Sequence, residues 1–148
     1  MLWLTLLAGI AGTDQPASPV GSPGLVHGYA YFASGSAVRQ RPAGFDPIAY
    51  LAVRVPHDAY VLVQGKTDTL GDDQANLRLS LRRARAVADE LVGQGVRPEQ
   101  ITLRACGERE LNRPTPDGVS EAQNRSVFLD WRDTPWPASL NCEQMDYR

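Results

Sequence analysis

YVLVQGKTDTLGDDQANLRLSLRRARAV, residues 60 to 87, passes from an apolar run through a polar turn into a basic amphipathic segment. The run Ala59 to Gln64 predicts a buried strand ending at Gly65. Beyond the turn, Leu77, Leu81, Ala84, Ala88 and Leu91 recur every three or four residues, Val87 and Val92 widen that stripe, and Arg78, Arg82, Arg85 and Asp89 fall elsewhere. This is the period of a helix packed on one face, starting near Gln74 to Asn76 and stopping at Gly93 or Gly95. Two opposite charges stand at its approaches: Asp68 just past the strand, and Arg83 fifteen residues on. The chain's single lysine, Lys66, sits between strand and turn.

Working outward, GYAYF (28 to 32) suits a short strand and the Gly, Ser and Pro content of ASGSAVRQRPAG marks a loop. Residues 46 to 55 read as a short helix with Asp46 as its N-cap and Pro47 in its first turn. Ile101 to Ala105 alternates as a strand, 107 to 122 is a polar loop, and Ser126 to Trp131 is a last strand. The order β-α-β-α-β-β predicts an α+β two-layer sandwich with both helices on one face of a mixed sheet. The tail, 132 to 148, has prolines and no period and is read as an extension.

With 148 residues, 43% apolar, 22% charged and a net charge of −2, the chain holds one domain and has no general electrostatic pull toward nucleic acid or anionic lipid. Residues 1 to 24 pair an apolar opening, MLWLTLLAGIAG, with a Pro/Gly/Ser-rich linker, and are expected to be a signal peptide and linker. No Lys or Arg precedes that opening, so a leader starting further upstream and an uncleaved anchor with weak membrane association both stand. Cys106 and Cys142 show no metal-ligand spacing. A disulfide tying the tail to the body, and one buried cysteine with one exposed, remain equal readings.

No catalytic constellation emerges. Gly65-Lys66-Thr67 resembles the end of a phosphate-binding loop, but position 60 is Tyr where that loop needs Gly. His27 and His57 stand alone in loops, and no serine has a nucleophile-elbow context. The chain is expected to be no enzyme and to need no cofactor. Asp68 and Arg83 as a surface ion pair would contribute only about 0 to 1 kcal/mol. A ligand bearing both an ammonium and a carboxylate gives a stronger reason for them, the guanidinium taking the carboxylate two-pronged. Free N–H groups at the helix start are expected to serve an anionic group nearby.

The quoted stretch resembles the signature of the OmpA-like (OmpA/MotB/Pal) peptidoglycan-binding domain, G-H-T-D-x-x-G-x-x-x-x-N-x-x-L-S-x-x-R-A-x-x-V. Gly65, Thr67, Asp68, Gly71, Asn76, Leu79, Ser80, Arg83, Ala84 and Val87 fall in register. Gly95 with Ile101, Gly107-Glu108 and Asn124-Arg125-x-Val127 resemble later family steps, and YFASGSA (31 to 37) its opening. The resemblance covers roughly residues 28 to 131, within a domain read as 25 to 131, and implies a periplasmic or outer-membrane-associated domain of the cell envelope. Its ligand would be peptidoglycan, held non-covalently through the diaminopimelate side chain of the peptide stem. Asp68 and Arg83 would face one cleft and hold that zwitterionic end, with Thr67, Asn76 and Arg125 in support. Lys66 replaces the family histidine and Ser126 the second arginine of N-R-R. If Lys66 paired with Asp68, the domain would instead be a degenerate relative that binds envelope proteins.

Overall fold

Two aspartates start the two helices. The Asp46 carboxylate accepts the Ile48 N–H and Pro47 fills the first turn, which gives α1, Pro47–Arg54. The Asp72 carboxylate accepts the Ala75 N–H and opens α2, Asp73–Gly93. The computed structural model describes residues 27–148, so the expected leader at 1 to 24 lies outside the described residues.

The strands are β1 (Gly28–Phe32), β2 (Arg39–Gln40), β3 (Tyr60–Lys66), β4 (Ile101–Gly107), β5 (Ser126–Arg132) and β6 (Glu143–Asp146). They form one six-stranded sheet in the order β2-β1-β5-β3-β4-β6. Only β3 and β4 run parallel, because α2 carries the chain back across the sheet between them; the remaining pairs are antiparallel. The expected α+β architecture is therefore the observed one.

Strand alternation decides where the core lies. Val61 and Val63, Ile101 and Leu103, Val127 and Leu129, and Ala30 and Phe32 point to one face, where Ala84, Val87, Ala88 and Leu91 of α2 and Ile48 and Leu51 of α1 meet them. Each fully buried aliphatic side chain there stabilises the fold by roughly 1.5 to 3 kcal/mol. Gly65 lets α2 sit this close: a Cβ there would overlap the carbonyl oxygen of Ser80. Ser80 in turn donates to the Leu77 carbonyl and accepts the Gly107 N–H, fastening α2 to the end of β4.

The tail does more than extend the chain. Glu143–Asp146 pairs along β4 as an edge strand, and Cys106 and Cys142 form a disulfide. Between them the chain crosses the sheet face away from the helices. There the Trp136 indole N–H donates to the Tyr60 carbonyl, its ring lies beneath the guanidinium of Arg132, and Arg104 bonds the Pro137 carbonyl.

Candidate functional site

The turn after β3 is built by its own polar side chains. The Asn76 amide donates to the carbonyls of Asp68 and Leu70 and to the Glu108 carboxylate, so the first turn of α2 holds the 68–70 backbone and the start of the next loop together. The Thr69 hydroxyl donates to the Pro116 carbonyl and accepts the Val119 N–H, while its carbonyl accepts the Gly118 N–H. Asn124 exchanges two hydrogen bonds with the backbone of Arg113. Together these draw residues 113–121 down over Asp68.

Asp68 is 5% exposed. Its Oδ2 accepts from Arg125 Nη1 at 3.0 Å and from the Glu121 N–H at 3.2 Å. Among the described residues both of its carboxylate hydrogen bonds fall on Oδ2, which leaves Oδ1 as the free acceptor. Arg125 also donates to the Phe32 carbonyl and the Ser120 hydroxyl, with Nη2 left over and its side chain 15% exposed. The buried hydroxyl of Thr67 has no hydrogen-bond partner, although its N–H donates to the Gly107 carbonyl.

Arg83 stands behind this pair. It is fully buried and donates to three carbonyls, those of Ser36, Lys66 and Ala33, at 2.8 to 3.0 Å, with its guanidinium over the Phe32 ring. Burial pushes its pKa down to about 10, and the charge of Asp68 opposes that shift, so it remains a cation at neutral pH. Asp68 and Arg83 therefore belong to one cluster, but the direct ion pair of Asp68 is with Arg125, and Arg83 does not open onto a cleft. The reason is reach: Arg83 spends its donors closing the loop after β1 onto the end of β3.

Lys66 turns away from Asp68. Its ammonium donates to Asn112 Oδ1 at 2.9 Å, and burial lowers its pKa while the nearby Glu110 charge acts the other way. The start of α2 is not open to an anion as expected, because Asp72 caps it and Asp73 binds Arg109 there. The stretch Gly118 to Asn124 is longer than the corresponding family step and lacks its arginine, which is the signal in the sequence; the roles of the Glu121 N–H and the Ser120 hydroxyl carry no motif of their own. Cys106, Cys142 and Glu110 have ligand atoms close together, but both sulfurs are spent in the disulfide.

The OmpA family model matches residues 31–125. Over 75 residues the chain is 39% identical to Outer membrane protein A of Shimwellia blattae, covering 51% of this chain and 30% of that protein. For Outer membrane protein A of Escherichia coli O157:H7 the identity is 36%, covering 51% and 21%. The matched part thus spans less than a third of these relatives. Among solved structures, the peptidoglycan-associated lipoprotein from Burkholderia pseudomallei is 28% identical with a TM-score of 0.56, covering 70% of this chain and 89% of that one. The OmpA-like domain of FopA1 from Francisella tularensis subsp. tularensis SCHU S4, 24% identical with a TM-score of 0.60 over 70% and 69%, shares the fold. Among the described residues no helix is long and apolar enough to cross a membrane.

Proposed function

The chain belongs to the OmpA family, and from that premise we propose that it binds peptidoglycan non-covalently in the cell envelope, through the diaminopimelate side chain of the peptide stem, and performs no chemistry on it. The observation that carries this reading is the Asp68–Arg125 pair, half-satisfied on both sides at the positions of the family signature. Oδ1 of Asp68 is a free acceptor suited to an ammonium. Nη2 of Arg125 is a free donor suited to a carboxylate. A zwitterion entering between them replaces one internal ion pair by two, so no charge is left buried without a partner. Arg83 supports the site from behind, its fixed positive charge favouring the carboxylate end, and Thr67 offers a spare hydroxyl.

The alternative of an envelope-protein binder rested on Lys66 occupying Asp68. The Lys66 contact to Asn112 gives that reading no support.

The test is co-sedimentation of the purified full chain with insoluble, diaminopimelate-containing peptidoglycan. Wild type is expected in the pellet, and Asp68→Ala, folded by circular dichroism, in the supernatant. Equal pelleting of the two would remove Asp68 from the site, and a folded wild type that stays in solution would overturn wall binding.

A further inference from the structure

The outward face of α2 carries a stripe of three exposed arginines, Arg78, Arg82 and Arg85, at steps of four and three residues. At a rise of 1.5 Å per residue the stripe extends over about 10 Å. Like charges one turn apart mildly weaken a helix, and neither Arg78 nor Arg82 has an acid three or four residues away on α2. Asp89, one turn beyond Arg85, is bonded to the Tyr147 hydroxyl.

Elsewhere the arginines are matched. Arg109 pairs with Asp73, Arg148 with Glu99 and Arg41 with Glu90, while Arg54 lies over the Tyr50 ring. Arg97 donates to the His57 carbonyl. Among the described residues, Arg78 and Arg82 are the two arginines that meet no acid, carbonyl or aromatic ring, and Arg85 meets only the Met145 sulfur, at 4.0 Å. In a chain of net charge −2 with 17 acidic residues, bringing an acid to this face would have been simple. The face keeps concentrated positive charge instead.

We infer that this face of α2 is a second docking surface for the cell wall, which takes peptide-stem carboxylates lying outside the Asp68 pocket. The inference rests on the peptidoglycan reading above. Two features favour this occupant. Its carboxylates are chemically complementary to guanidinium groups. The stripe also begins at the pocket's end of α2, because Arg78 lies in the turn that follows Asn76, whose amide holds the Asp68 and Leu70 carbonyls, although its guanidinium is on the outward side of the helix. The pocket supplies selectivity for the zwitterion, and the stripe supplies a salt-sensitive grip on the polymer around it.

The experiment compares full-length wild type with the Arg78→Gln/Arg82→Gln double variant in three binding assays. The probes are intact sacculi, the same sacculi with their carboxylates amidated, and vesicles containing phosphatidylglycerol; free meso-diaminopimelate is titrated separately by NMR. The double variant is expected to bind intact sacculi about three- to tenfold more weakly at low salt, with the gap closing at high salt and on amidated sacculi. Its free diaminopimelate titration should match wild type. Equal sacculus binding by both proteins at every salt overturns the inference, as does a loss confined to the vesicles. If wild type ignores free diaminopimelate yet pellets with sacculi through Arg78 and Arg82, the pocket reading fails and the helix surface stands.

Discussion

Arg83 is the largest side chain that solvent does not reach, and its three carbonyl partners come from the loop after β1 and the end of β3. Arg83→Ala would strip three carbonyls of their donor, that of Lys66 fully buried, and remove the cation behind Asp68. We predict a loss of about 3 to 5 kcal/mol of stability, read from urea denaturation, so this variant reports on folding before it reports on ligand. Asp68→Ala, which gives up the Arg125 pair and the Glu121 N–H bond but leaves all three Arg83 bonds in place, separates the two effects. The sequence made both residues visible through their spacing and motif. It could not show that the partner of Asp68 is Arg125, because the two lie 57 residues apart and meet only once β5 is laid beside β3. The bonds made by Arg83 were equally hidden, since backbone carbonyls leave no trace in residue types.

At the scale of elements, Arg39 does for the far edge what Arg83 does for the site. From β2 it grips Glu90 of α2 through two nitrogens and Asp46 at the start of α1, so one guanidinium joins a strand and both helices. Burial by itself would raise the Asp46 pKa, but the bonds from Arg39 and the Ile48 N–H outweigh it and hold the carboxyl below its ordinary 3.8. A carboxyl depressed in the folded state contributes stability above its unfolded pKa and loses it as pH falls through the folded value. Acidification from about pH 5 to below pH 4 is therefore predicted to loosen β2 and α1 before α2. Hydrogen exchange should show it, with Ile48 and Tyr50 amides losing protection while the α2 amides of Val87 and Leu91 keep theirs. The helices were readable from Asp46-Pro47 and from the Leu/Ala period. Strand β2 was not, since two residues carry no period and only the Tyr31 and Phe32 pairing defines it.

For the whole molecule, the tail determines how the layers close. Strand β6 escaped notice because an edge strand with a single half-buried side chain, Met145, shows no alternation; its register comes from the β4 backbone. The Cys106–Cys142 bond leaves the other half of that closure to covalent chemistry, with a sequence separation of 36. By chain entropy a loop of this length restrains the unfolded state by about 4 kcal/mol. Reduction, or Cys106→Ala with Cys142→Ala, should lower the urea midpoint accordingly while leaving β1, β3 and β5 paired. The central sheet and α2 were legible because local period and motif coincide there, whereas the strap and the loop over Asp68 depend on contacts between distant segments.

The same bond makes residues 106 to 142 a covalent ring, and the ring contains Glu121 and Arg125 while Asp68 and Arg83 lie outside it. A protease that nicks the exposed 113–121 stretch would therefore release nothing: both new ends stay tethered, one through β4 and the other through the disulfide, with the two halves of the site still held on one sheet.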